Sequence, residues 1–534
     1  MAARPSADST SKAEASSSLS WTQQLLLFSF FFAGLMLLHA PLLRLPYYWD
    51  EAGYYVPAAR DLYLTGTLIP RSTISNAHPP LVMAWLAMAW RVAGYSTLVT
   101  RTAMLALAAF ALLGISRLSR VAANPAVACT TTVLTAVYPV FFTQSSLAHV
   151  DLAAAGFTFW GLAAYFEDCR WKQAAWFSLA VLSKETAVLA PFALFAWEVL
   201  AHIARTRWPE LFPNTERRTR PFHLLIPVVP LACWYAYHYV KTGFLLGNPE
   251  FFRYNVAATL DPLRIPVALG MRFWQLFGYF GLYLLTLAGL LAMFRRPQIE
   301  KGISRPRIAL WIQAGFLSVA VAYLGFMSAV GGAVLARYML PVVPLAILVL
   351  TSTLYRRVRR WQLVAGVVAI AFVASLFTNP PYGFSLEDNL AYRDYVVLHA
   401  EASRFLAMRY PRARVLTAWP ASDELTRPWL GYVSRPFPVE RIEDFTAAQI
   451  STAAGGQFDV AFVFSTKYQP PHPFLEDWAW WQHVKERFFG DHRDLLPEEI
   501  ARRLGGRVVF QKTSDGQWVA VIVIERLENA RRLP

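Results

Sequence analysis

Long apolar runs recur along most of this chain. Between residues 25 and 377 it returns repeatedly to stretches approaching the roughly 20 residues that carry a helix across a bilayer. One soluble core cannot absorb them all, because 56% hydrophobic against 16% charged residues over 534 positions leaves too little polar surface to cover such a core. The chain therefore reads as a polytopic, all-α membrane protein. A formal net charge of +15 would suit nucleic acid. The lysines and arginines, however, fall in short stretches between apolar runs, where they act as positive-inside anchors, so nucleic-acid binding is not expected. Cys129, Cys169 and Cys233 sit in or beside apolar segments with no paired spacing, so neither a disulfide framework nor a thiolate metal site is implied.

Residues 1–22 are expected to be a disordered cytoplasmic tail, and 25–43 a retained first span. The decisive stretch is 81–94. If it crossed the membrane, the basic loop around Arg117 and Arg120 would fall outside. Laid along the outer surface from Pro80 onward, it makes the next spans 98–118, 126–142 and 152–166, and every basic loop falls inside. Those loops are Arg117 with Arg120, Arg170 with Lys172, and residues 205–220, 295–307 and 356–360. Spans over 174–183, 187–202, 224–240, 267–294, 308–327, 338–355 and 361–377 complete a prediction of about eleven transmembrane helices, N-terminus inside and C-terminus outside. The expected organisation is a tail (1–22), a transmembrane domain (23–378) whose outer loop 44–97 carries surface helices, and an extracytoplasmic soluble α/β domain (379–534). In the last, a helix over 388–408, strands at 414–419 and 458–464, and a hairpin of 507–511 with 518–525 are predicted. This domain reads as a cover without chemistry of its own.

With this topology the outer face receives Asp50 and Glu51 within Tyr47-Tyr48-Trp49-Asp50-Glu51-Ala52-Gly53-Tyr54-Tyr55, then His78, His149 with Asp151, Lys184 with Glu185, and Arg337 with Tyr338. Singly, each has a plain explanation: an interfacial aromatic belt, a helix cap at Asp151, a neutralised pair at Lys184 and Glu185, an anchor at Arg337. Ionisable residues beside hydrocarbon are costly, and their recurrence at one depth favours a shared polar cavity. Such a set suits transfer of a group from a membrane-bound phosphate carrier. A carboxylate such as Asp50 can take a proton from an attacking hydroxyl, while Lys184 or Arg337 holds the phosphate as charge develops on it. Asp50, Glu51, His78 and Asp151 also permit a divalent cation, without metal-specific spacing. No other cofactor is indicated.

The ordered set Trp49-Asp50-Glu51, His78-Pro79-Pro80-Leu81, Ala148-His149-Val150-Asp151, Leu182-Ser183-Lys184-Glu185-Thr186 and Arg337-Tyr338 resembles the protein O-mannosyltransferases that use dolichyl-phosphate-mannose, and their bacterial relatives, including aminoarabinose transferases acting on lipid A. The resemblance covers most of residues 20–378. It implies a C-type (GT-C-like) membrane glycosyltransferase with a polyprenyl-phosphate-linked sugar as donor, working among membrane lipids at the outer face of a bacterial inner membrane. Asp50 then corresponds to the catalytic carboxylate, Glu51 to its neighbouring site residue and Asp151 to a second outer-loop acid, with Tyr54, Tyr55, His149, Glu185 and Tyr338 lining the cavity. The donor-phosphate role stays divided among His78, Lys184 and Arg337, because relatives vary between histidine and lysine at the position of His78. Nothing in the C-terminal part matches a specialised eukaryotic module, so the acceptor stays open among a lipid A-like glycolipid, another envelope glycan and protein. A lipid or polysaccharide transporter and a noncatalytic envelope-assembly protein are the competing classes. Asp50-dependent cleavage of a lipid-linked sugar separates both from an enzyme.

Overall fold

The computed structural model describes residues 19–207, 221–470 and 478–524. Most of the expected tail, and the basic stretch 208–220, lie outside the described residues. The apolar runs form helices, beginning with Trp21–Leu38. It starts ahead of the expected residue 25 because Ser20 and Gln23 close a reciprocal capping box around its first turn. Among the described residues, five helices are long and apolar enough to cross a membrane: Trp21–Leu38, Thr97–Ala122, Glu185–Ala204, Arg264–Met293 and Leu310–Ala329. This corrects the expectation of about eleven such helices.

The shortfall comes from backbone interruptions inside apolar runs. The run 126–142 divides at Pro139 into Pro125–Val137 and Pro139–Gln144, since proline supplies no N–H to continue the ladder. Lys184 is extended (φ −151°, ψ 132°) and ends Arg170–Ser183 after 14 residues. The run 338–355 opens on a 3-10 turn, Ala336–Met339, and its α-helix begins only at Val343. The helix Leu81–Ala93 has 13 residues, a rise of about 20 Å against a hydrocarbon layer of about 30 Å. It buries Val82, Leu86 and Trp90, and the indoles of Trp85 and Trp90 donate to the Ala103 carbonyl and the Thr100 hydroxyl at 2.9 Å each.

A two-strand hairpin, β1 (Ile299–Glu300) with β2 (Ile303–Ser304), interrupts the helical part. The C-terminal sheet contains β3 (Val415–Ala418), β4 (Val439–Ile442), β5 (Val460–Phe464), β6 (Gly506–Ser514) and β7 (Gln517–Ile524), in the order β4-β3-β5-β7-β6. β3 runs parallel to β4 and β5, whereas β7 is antiparallel to β5 and β6. Every residue of β5 and β7 is buried, which is why these central strands read as unbroken apolar runs. Asp515 (φ 41°) and Gly516 (φ 82°) turn the chain between β6 and β7, as a tight hairpin requires. The short, half-exposed edge strand β4 was not anticipated, having neither a long apolar run nor clean alternation.

Among the described residues the apolar interior forms two large cores and a small one around Ala180, Val181 and Leu231. One large core joins bundle helices through residues such as Leu112, Ile115, Phe159 and Ile347. The other unites Tyr47, Tyr48, Val56, Leu86 and Trp90 of the outer loop with Val415, Phe462 and Val521 of the C-terminal sheet. The segment around Asp50 is therefore built against the C-terminal domain as much as against the bundle. The whole is a largely helical, polytopic membrane protein with a C-terminal β-strand domain.

Candidate active site

Asp50 and Glu51 are adjacent, yet the backbone sends them to different partners. Trp49 is left-handed (φ 43°), a strained conformation for a bulky L-residue, and a π-helical turn, Glu51–Tyr55, follows at once. Trp49 is held in place by edge contacts with Tyr395 at 5.7 Å and Trp419 at 5.1 Å between ring centroids. A Cβ on Gly53 would meet the Trp419 ring at 2.8 Å, so the absence of a side chain there lets the C-terminal domain close onto this turn.

Glu51 is fully buried and saturated. Its two oxygens accept from Arg101 Nη1 and Nη2 at 2.6 Å each, and from the Tyr48 and Ala148 backbone N–H groups at 2.6 and 2.8 Å. Arg101 also donates to the carbonyls of Ser146 and Pro46. One bidentate pair thereby pins the segments around residues 46–48 and 146–148 to the helix Thr97–Ala122.

Asp50 instead joins a cluster centred on Arg337. The guanidinium donates to Asp50 through Nη2 and to Glu387 Oε2 through Nη1 at 2.5 Å, and its Nε lies 3.3 Å from Asp151 Oδ2. Lys184 Nζ donates to Asp151 Oδ1 at 2.5 Å and stands 3.9 Å from the centroid of the Tyr338 ring. Secondary structure explains the meeting. Asp151 opens the helix Asp151–Phe166, where the dipole favours an anion. Lys184 follows the C-terminus of Arg170–Ser183, where it favours a cation. A short turn at residues 167–169 joins these two helices, returning Lys184 to the level of Asp151.

Around Arg337, exposure singles out one carboxylate. The Asp50 side chain is 21% exposed, against 2% for Asp151 and 3% for Glu387. His149 Nδ1 lies 3.2 Å from Arg337 Nη1, and burial, reinforced by Arg337, holds this imidazole well below its usual range and therefore neutral. The Tyr55 ring bridges His149, at 5.7 Å, and His78, at 5.8 Å. His78 Nδ1 is 2.9 Å from Glu185 Oε2. It borders a cavity shared with Tyr54, Tyr55, Met83 and Trp234. Left-handed Ala77 (φ 57°), whose carbonyl accepts from Trp234 Nε1 at 2.8 Å, sets the direction of His78.

Of the expected residues, the structure brings Asp50, Asp151, His149, Lys184, Arg337 and Tyr338 together, with Tyr55, His78 and Glu185 alongside. Tyr54 faces Trp419 and the cavity. Glu51 stands apart. Among the described residues no three His, Cys, Asp or Glu side chains are grouped to hold a metal ion. The four side chains offered for a divalent cation are divided among Arg337, Lys184, Arg101 and Glu185.

Sequence reasoning missed Glu387, Arg101 and Arg272. Arg101 and Arg272 were detectable as charges inside apolar runs, which demand a partner or a function. Glu387 left only a faint mark, as half of an acidic pair beyond Pro380-Pro381. Arg272 is fully buried and donates to the Met327 and Leu335 carbonyls and to Gln275 Oε1. Its Nη2 has no hydrogen-bond partner, and its guanidinium lies 5.6 Å from the Tyr338 centroid. Lys184, Arg272 and Arg337 thus surround one ring.

No family model and no curated protein sequence matches the chain. Solved structures do. The crystal structure of ArnT from Cupriavidus metallidurans bound to undecaprenyl phosphate aligns with a TM-score of 0.51 at 13% identity, over 94% of this chain and 98% of that one. The same protein in the apo state gives 0.49 at 14% identity over the same shares. The cryo-EM structure of the arabinofuranosyltransferase AftD from Mycobacteria gives 0.43 at 14% identity, over 95% of this chain and 40% of that one. The first of these shows that the chain shares the fold of that protein and, at such an identity, nothing finer.

Proposed function

We propose that the chain is an inverting glycosyltransferase that moves a sugar from a polyprenyl-phosphate carrier to an envelope acceptor at the outer face of a bacterial inner membrane. The observation that carries this reading is the accessibility of Asp50, alone among the three carboxylates on the buried Arg337 guanidinium. The likeness to a protein crystallised with undecaprenyl phosphate supports the choice of carrier.

In this mechanism the carrier phosphate enters the cationic surround of Tyr338. It takes the spare Nη2 of Arg272 and draws Lys184 and Arg337 toward its oxygens. As Arg337 turns to the phosphate, Asp50 is released from its ion pair. The carboxylate accepts the proton of the acceptor hydroxyl while that oxygen bonds to the anomeric carbon. The bond from that carbon to the phosphate oxygen breaks, and its electron pair leaves with the carrier phosphate, where the cations stabilise it. A single displacement of this kind inverts the anomeric configuration and forms no sugar–enzyme intermediate. His78, with Nδ1 held by Glu185, borders the cavity it shares with Tyr54, Tyr55 and Trp234.

The topology we assign is N-terminus cytoplasmic and C-terminal domain periplasmic, with helices too short to span alone completed by flanking turns or tilt. Alignment of the basic loops on one side supports it. The acceptor class is a lipid A-like glycolipid, a polysaccharide or a protein.

The test is mass analysis of extracted carrier lipids and envelope glycans from cells carrying the wild-type chain or Asp50→Asn. A carrier freed of its sugar and a matching glycosylated product should appear only with the wild type, the product being inverted by NMR. Equal products from both, or a retained configuration, would remove the mechanism. Movement of an uncleaved lipid-linked glycan would favour a transporter.

A further inference from the structure

Glu387 lies on a 3-10 turn, Leu386–Asp388, in the segment that leads from the last apolar helix, Trp361–Phe377, into the helix Ala391–Arg409 of the C-terminal domain. This turn is pinned from two sides. The Glu387 carbonyl accepts from Thr143 Oγ1 at 2.6 Å and from Gln144 Nε2 at 3.4 Å, and the Asp388 carboxylate accepts from the Tyr279 hydroxyl at 2.7 Å. The Glu387 side chain is buried, with Oε2 on Arg337 Nη1 and Oε1 without a hydrogen-bond partner. Arg337 is thus held by Glu387 through one terminal nitrogen and engages Asp50 through the other.

We propose that Glu387 is a positioning residue for the transfer, holding the Arg337 guanidinium so that Asp50 can be freed, and that the connector to the C-terminal domain therefore takes part in the reaction. The inference rests on the reading of Asp50 as the base. A guanidinium with an acceptor at each end can give up Asp50 and keep its place. Without Glu387 the carboxylates left on it are Asp50 and Asp151, so it settles onto Asp50 and withholds the base. The loss falls on turnover, not on donor binding, because an acceptor that competes with the phosphate for Arg337 does not strengthen an anion's hold there.

The experiment uses the full-length protein in nanodiscs. Binding is read with undecaprenyl phosphate alone. Turnover is read by mass spectrometry as carrier freed of its sugar from an extracted pool of polyprenyl-phosphate sugars. Glu387→Ala should lower turnover by about 10- to 100-fold, the scale of a catalytic group misplaced by about an ångström, and leave carrier binding within about threefold. Glu387→Gln, which still offers Nη1 an acceptor, should recover most of the turnover. Thr143→Val removes the hydroxyl anchoring the Glu387 carbonyl at nearly constant shape, and should cost about threefold in the same direction. This variant and Glu387→Gln decide the matter if Glu387→Ala does not fold.

Full turnover in Glu387→Ala overturns the inference, as does full turnover in Thr143→Val, or a parallel loss of binding and turnover unrelieved by glutamine. If Asp50→Asn is inactive while Glu387→Ala is fully active, only this inference falls. Wild-type turnover in Asp50→Asn removes the underlying reading.

Discussion

Asp50 and Glu51 share a peptide bond and a charge, and the structure gives them opposite circumstances. Glu51 is sealed, with two Arg101 nitrogens and two backbone N–H groups on its oxygens, so both oxygens are committed to holding the loop together. Asp50 shares a guanidinium with Glu387 and Asp151 and keeps part of its surface open. A carboxylate whose lone pairs are all engaged cannot take a proton without breaking the scaffold. One that competes for a shared cation can be released when that cation finds a better partner. On the proposed reading, saturation and burial, not adjacency, separate the structural acid from the reactive one.

The sharpest way to break this contrast is Glu51→Gln. It leaves Arg101 buried without a counter-charge and should cost about 3–5 kcal/mol of stability. A lowered thermal midpoint in detergent, with residual folded protein still turning over, is the expected pattern. An unchanged midpoint together with lost activity would move Glu51 into the reaction. Asp50→Asn comes next, with turnover falling by about 100-fold or more at an unshifted midpoint and carrier binding persisting, because the shape and one acceptor oxygen remain.

Arg272→Ala sharpens the cationic side of the same comparison. A lost charge-assisted contact is worth roughly 1.5–3 kcal/mol, so binding of undecaprenyl phosphate should weaken by about one to two orders of magnitude, whereas Lys301→Ala, on an exposed turn, should leave it unchanged. Equal affinity in the two variants would make Arg272 a tether for the carbonyls of Met327 and Leu335 alone.

A further expected effect is a pH slope. Burial pushes the Glu387 carboxyl up to about 8 from 4.5 against the pull of Arg337, and Asp388 up to about 7 from 3.8 against its hydrogen bond from Tyr279. Through these windows the folded chain keeps protons that the unfolded chain has released. Stability from this pair is therefore greatest at the acid end and falls as pH rises, over about 3.8 to 7 for Asp388 and 4.5 to 8 for Glu387. Thermal midpoints measured across that range should decline, and Glu387→Gln should flatten the upper part of the slope. A wild-type slope in that variant would mean that Glu387 does not carry it.

Much of the fold was legible because burial in a bilayer and burial in a sheet both leave one-dimensional marks. Apolar runs became helices, and β3, β5 and the β6–β7 hairpin lie close to where their β-branched runs and the Ser-Asp-Gly turn pointed. Helix integrity was less legible. Pro139 and the extended Lys184 divide runs that hydropathy alone averages into single spans. Helices such as Ala447–Ala453 and Ala479–Phe489 passed unseen because weakly patterned segments of this length carry little periodicity.

By itself the sequence determined that this is a membrane protein and which of its charges lie near the ends of its apolar runs. These follow from the cost of exposing apolar surface and of burying charge, and both costs can be read residue by residue. Only the tertiary structure decided that Glu51 belongs to Arg101, that Asp50, Asp151 and Glu387 converge on Arg337, and that Arg272 retains an unengaged N–H. A hydrogen bond is a property of two positions in space. The sequence separations of 287 from Asp50 to Arg337 and 50 from Arg337 to Glu387 are closed by the packing of whole elements, which no local pattern records.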